Sequence, residues 1–126
     1  MAEANLTKQV SVDTTNDNIV IVKMLEDIPG GKTLDVTGWP HATIPAGHPI
    51  IKDDDGEFKP IALDGEGAAI DATKAAKTVG ILSCTILTEK PLASIMVRGT
   101  VNEAADVYTI PAGCKSPLSL IRFTED

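Results

Sequence analysis

The stretch Val79-Gly80-Ile81-Leu82-Ser83-Cys84-Thr85-Ile86-Leu87, then Thr88-Glu89-Lys90-Pro91, then Leu92-Ala93-Ser94-Ile95-Met96-Val97-Arg98-Gly99-Thr100-Val101, decides the fold class. Its first part is the strongest strand pattern in the chain, rich in aliphatic and β-branched residues. Three polar residues and a proline make a turn of hairpin length. The last part reads as the returning strand, with Ile95 and Val97 on one face and Met96 and Arg98 on the other.

Shorter runs of the same kind lie on both sides. Residues 19–25 are aliphatic and read as a buried strand, stopped by Pro29-Gly30-Gly31. Residues 32–37 alternate, with Leu34 and Val36 on one face, and end at Gly38-Trp39-Pro40. Residues 48–52 and 57–63 flank the turn Asp53-Asp54-Asp55-Gly56, and residues 118–123 form a last strand. The Ala-rich segment 71–76 is the one helix candidate, with Asp71 as its cap. Many short strands separated by Pro and Gly turns predict a mainly β fold, a small barrel or sandwich with one short helix.

The pentapeptide T-I-P-A-G occurs twice, at Thr43–Gly47 and at Thr109–Gly113. The spacing is too long for a solenoid repeat and the flanks differ. Pro45 and Pro111 preset φ for a corner, and Gly47 and Gly113 relax its exit. Each copy is therefore expected to turn the chain into a following strand.

Residues 1–18 are polar, with Val10 and Val12 as an alternating apolar pair, and Thr14-Thr15-Asn16-Asp17-Asn18 is a loop signal. This segment reads as an N-terminal arm ahead of a single domain at 19–126. The arm is either a frayed end or a strand that orders against a partner's sheet edge. The first twenty residues hold no apolar core of signal-peptide length, so export by that route is not expected.

The 126 residues suffice for one modest core without metal or disulfide staples. Only Trp39, Phe58, Tyr108 and Phe123 are aromatic, so the core must be mostly aliphatic. The net charge of −7 opposes binding to nucleic acid or to an anionic membrane, and it suits a partner with a basic surface. Cys84 and Cys114 are expected buried and reduced.

The spacing of the reactive side chains matches no known reactive constellation. Gly30-Gly31-Lys32-Thr33 resembles the end of a phosphate loop, but Glu26 stands where the first glycine belongs. Asp53-Asp54-Asp55-Gly56-Glu57 fails as a calcium loop, because Ile51 and Ala62 occupy the first and last ligand places. His41 and His48 with the two cysteines lack a close pair of zinc-site spacing. The serines lack a nucleophile-elbow context, and nothing places a carboxylate behind either histidine. A chain so poor in aromatics is not expected to build a sugar-gripping cleft. These readings predict neither an enzyme nor a cofactor.

One ordered series carries a resemblance. It runs T-I-P-A-G-H-P-I-I-K at Thr43–Lys52, a D-G turn, K-P-I-A, T-V-G-I-L at Thr78–Leu82, and V-R-G-T-V-N-E-A-A at residues 97–105. The series resembles the capsid decoration and head-fibre-base proteins of tailed bacteriophages, including the lambda-type head decoration family, over residues 34–105. The resemblance implies a small β domain on the outside of a phage head, made in the host bacterial cytoplasm. It implies a homotrimer that binds the major capsid protein, and contact with other head or fibre proteins. It also implies that the N-terminal arm, with Val10 and Val12 facing inward, pairs with capsid strands. The alternative is a small β-barrel binding module for a ligand or a host glycan.

Overall fold

The structure, a computed structural model, describes residues 13–125. Its elements run α1 (Asp17–Val20), β1 (Ile21–Asp27), β2 (Lys32–Thr33), β3 (Thr43–Ile44), β4 (Pro49–Lys52), β5 (Phe58–Pro60), a 3-10 helix (Ala72–Lys77), β6 (Thr78–Leu82), β7 (Ile86–Leu87), β8 (Leu92–Ala93), β9 (Ile95–Asn102), a 3-10 turn (Glu103–Ala105), α2 (Ala112–Lys115) and β10 (Ile121–Thr124). The fold is mainly β, and its sheets are open, so the sandwich-like alternative is the one these strands follow.

The main sheet has the order β1-β9-β6-β4-β5, with β10 added to β9. β9 organises it. β1 pairs antiparallel along one side of β9, from Ile21↔Val101 to Asp27↔Met96. On the other side β6 takes the first two residues of β9, and β10 takes the last four in parallel. Two short ribbons, β2–β8 and β3–β7, stand apart from this sheet.

Those ribbons explain where the hairpin reading needs correction. The pairing of β6 with β9 stops at Leu82↔Ile95. Ser83 then donates both its N–H and its hydroxyl to the Ser94 carbonyl, each at 3.0 Å. Beyond the two serines the arms diverge: Ile86-Leu87 pairs with β3, and Leu92-Ala93 pairs with β2. Each expected long strand is thus two short ones serving different partners.

The divergence lets the sheet bury both faces. Ile50, Leu82 and Ile95 point into one core with Ile44, Ile86 and Ala93 from the ribbons. Ile81, Met96 and Val101 point the other way, against Val20, Leu118 and Ile121. A third cluster joins Ile51 and Ile61 to Ala75, Ile110 and Cys114, and Phe123 packs against both the second and third clusters. One layer is therefore the ribbons, the next the sheet, and the last the helical segments. Strands covered on both faces read as continuous apolar runs, which is how residues 79–82 read.

Three expectations change further. The helix at 71–76 is present as a 3-10 helix, and Asp71 caps it by accepting from the Thr73 N–H. It is not the one helical segment: α1, α2 and the turn at Glu103–Ala105 accompany it among the described residues. Residues 19–25 are not a buried strand: β1 is an edge strand, open to solvent over most of its length. Cys84 is exposed rather than buried, Cys114 is buried, and both are free thiols.

Candidate partner-binding edge

The two ends of the main sheet differ. At one end β5 is three residues long and finishes in Pro60, which has no N–H to offer. The Phe58 carbonyl already accepts from the Asp35 N–H at 2.8 Å. A short edge with a proline, a lysine and a covering segment is protected against strand addition. At the other end β1 is seven residues long with no proline, and no described strand lies on its outer side. Alternate backbone N–H and C=O groups of β1 therefore face outward with no ladder to join among the described residues.

This edge also exposes apolar side chains. Val22 is 55% exposed, Leu25 53% and Met24 46%, and Ile19 in α1 is 53% exposed. Four exposed aliphatic side chains thus fall within seven residues at this edge, beside exposed Lys23 and Glu26, and exposed apolar surface of this kind marks partner sites. The register of β1 slips three times against β9. Such bulges twist an edge and restrict which strands can add to it.

The position of β1 is fixed from behind. Asp17 accepts the Thr85 N–H at 2.8 Å and the Thr85 hydroxyl at 2.6 Å. That hydroxyl oxygen accepts the Ala46 N–H at 3.1 Å. One carboxylate thus ties α1, which leads into β1, to the first T-I-P-A-G segment. Further along, Gly99 lets the Lys23 carbonyl of β1 approach β9 so closely that a Cβ there would strike it. Asp17 and Asn18, assigned to the arm by sequence, thus belong to α1.

Of the residues picked out by sequence, Val10 and Val12 lie outside the described residues. Pro45 and Gly47 form the expected corner: the His48 N–H donates to the Pro45 carbonyl, and Gly47 has φ of 87°. A Cβ on Gly47 would also strike Asp106 and Val20, which pack directly over it. The second copy is a correction. Pro111 precedes α2, and Gly113 lies inside that helix without a left-handed φ. The same five residues differ in outcome because Cys114 is drawn into the third core, its N–H donating to the Pro111 carbonyl at 3.0 Å.

Two buried ionisable groups flank this corner. Both Asp106 carboxyl oxygens are buried without a hydrogen-bond partner. Burial, and then the nearby Glu103 charge, push the Asp106 carboxyl up to about 8, and Lys115 opposes the rise. His48 is buried, with Nε2 donating to the Ile61 carbonyl at 2.8 Å and Nδ1 unpartnered. Burial lowers its pKa to about 4.

Aromatic side chains gather here despite their scarcity. The Trp39 ring meets His48 edge-on at 4.9 Å, and Tyr108 lies 5.8 Å from His48. Trp39 also lines a cleft of about 670 Å³ between residues 35–40 and 59–74. The acidic turn beside the cleft is not simply solvated. Asp53 binds Lys74 at 2.7 Å, Lys77 at 3.1 Å and Lys59 at 3.3 Å. Lys74 first, then the Asp54 N–H and Lys77, hold the Asp53 carboxyl well below the usual carboxylate range. Those lysines are 21 and 24 residues away in the chain, so spacing alone gave no signal for them.

Among the described residues, no three His, Cys, Asp or Glu side chains converge to hold a metal ion. No described helix is long and apolar enough to cross a membrane. No protein-family model matches this chain, and no curated protein matches it.

Proposed function

We propose that this chain is a structural protein of a phage virion that binds the outer surface of the head, with β1 as its docking edge for the major capsid protein. The observation that carries the reading is the contrast between the two sheet edges. β5 is short, proline-ended and covered, whereas β1 is long, exposes Val22, Met24 and Leu25, and has no partner strand on its outer side among the described residues. Strand addition draws affinity from main-chain hydrogen bonds and specificity from alternate side chains. The residues ahead of β1 include Val10 and Val12, so a capsid segment lying on β1 can engage the arm as well. A homotrimer around a local threefold position, in contact with other head or fibre proteins, belongs to the same proposal.

The ordered series that resembles head decoration proteins supports the reading in a specific way. Its parts occupy β3 with the corner at Gly47, then β4, β5, β6 and β9. It therefore describes the scaffold that carries β1, and β1 itself lies outside it.

The test is sedimentation with phage heads that lack their decoration protein. The double variant Val22→Lys, Leu25→Lys keeps the β1 backbone and makes the patch cationic. Binding is expected to weaken at least ~10-fold, because two exposed aliphatic contacts of order 1 kcal/mol each are replaced by desolvated charge. Removal of residues 1–12 should weaken it separately. Unchanged binding of the double variant would overturn the assignment of β1.

A further inference from the structure

We infer that Asp106 is a proton-operated latch on α1: its neutral carboxyl seals α1 against the Gly47 corner, and loss of the proton releases α1 and the start of β1. A consequence for docking rests on the reading of β1 as the docking edge. The latch itself belongs to the free chain and is measured there.

Asp106 ends the 3-10 turn at Glu103–Ala105, its N–H donating to the Glu103 carbonyl at 3.3 Å. Its side chain reaches the point where the turn, α1 and the Gly47 corner meet. The space that a Cβ on Gly47 would take is filled by Asp106 Oδ1 and Val20 Cγ1. Val20 is the last residue of α1 and is buried in the second core, against which Ala105 also packs. Both Asp106 carboxyl oxygens are buried, and neither has a hydrogen-bond partner among the described residues. A neutral carboxyl tolerates such a place far better than a carboxylate, because an unpaired buried charge is costly.

The surrounding groups do not compensate that charge. Glu103 repels an ionised Asp106, and Lys115 of α2, which attracts it, is already bound to Glu103. In α1, Asp17 spends both oxygens on Thr85. At the corner, His48 is buried with Nε2 on the Ile61 carbonyl, and burial keeps its ring neutral. On β10, which packs against the turn, Arg122 is exposed. The sealed carboxyl therefore keeps its proton up to about 8.

The chain is free to move at this point. Residues 107–110 make no backbone–backbone hydrogen bond among the described residues, and Val107 is 66% exposed. The ionised carboxyl reaches water by a swing of this segment that breaks no ladder. The swing uncovers Val20 and leaves the Asp17–Thr85 hydrogen bonds as the polar tie on α1. A swung-out Asp106 ionises near ~4. Between ~4 and about 8 the open form has lost a proton that the sealed form keeps. Opening therefore becomes ~10-fold more favourable per pH unit across that range, and levels off above it.

The experiment follows amide exchange of the free full chain by NMR from pH ~6.5 to ~9.5, each rate divided by its intrinsic rate at that pH. The Ile19, Val20 and Ile21 amides donate within α1 or from its cap. Their protection should fall ~10-fold per pH unit up to about 8 and then level, while β6 stays better protected throughout. In Asp106→Asn the α1 protection should not change with pH. Asp106→Leu, close in size and uncharged, should behave alike and guards against a fault peculiar to the amide. The Asp106 carboxyl carbon in the parent should titrate above pH ~6.5. Constant α1 protection in the parent, a fall that persists in both neutral variants, α1 and β6 exchanging with equal protection, or an Asp106 carboxyl that titrates near ~4 would each overturn the inference. No head is present, so failure of the docking edge leaves these outcomes unchanged.

Discussion

At the residue scale, Asp106 and His48 make opposite demands on pH. In the unfolded chain the Asp106 carboxyl ionises near ~4 and His48 titrates near ~6.5. In the fold these values are about 8 and about 4. Between pH ~4 and ~6.5 the folded state holds a proton on Asp106 that the unfolded state has lost, and it lacks one on His48 that the unfolded state carries. Their contributions to the pH slope nearly cancel there. From ~6.5 to ~8 Asp106 acts alone, the folded state binds more protons, and its contribution falls as pH rises. Asp106→Asn removes that dependence. Thermal unfolding of the variant relative to the parent should move in the variant's favour from pH 5 to pH 8.5. Parallel curves would mean that Asp106 is ionised in the fold without penalty. The two pentapeptide glycines give a second contrast. Gly47→Ala forces a left-handed residue and a clash with Asp106 and Val20, and should cost at least ~2 kcal/mol. Gly113→Ala meets only the Ala75 Cβ, at 3.0 Å, inside a helix. Its cost should be clearly smaller in chemical denaturation.

At the element scale, the Asp17 carboxylate links α1 to the β6–β7 connection and the Gly47 corner. Asp17→Ala leaves the part-buried Thr85 N–H and hydroxyl unpaired, at a cost of roughly 1.5–3 kcal/mol. Hydrogen exchange should rise first in α1 and β1, and uniform loss of protection would show that the link is not local. The element scale also shows what the sequence could tell. Residues 79–82 and 95–101 were legible as strands because β-branched and aliphatic runs have few other solutions. The break at Ser83 and Ser94 was not, since nothing in a hairpin pattern announces that its arms will pair elsewhere. β1 has the composition of a buried strand and yet stands exposed for a related reason. Composition identifies an apolar strand, but only the topology decides that it stands at an edge.

At the scale of the whole molecule, a sheet covered on both faces presents one guarded end and one open end, with a cleft held by a lysine–aspartate network to one side. The mainly β architecture could be read from turn chemistry and apolar runs. The cleft could not, because Trp39, Asp64 and Asp71 become neighbours only through loops of no regular pattern. Docking on a phage head through β1 is the central claim. Its most direct measurement is hydrogen–deuterium exchange of this chain, free and bound to decoration-free heads. The account predicts slowed exchange concentrated in Ile21–Asp27, with β5 unchanged. Binding that leaves the β1 amides exchanging as in the free protein, or no binding to heads at all, would contradict it.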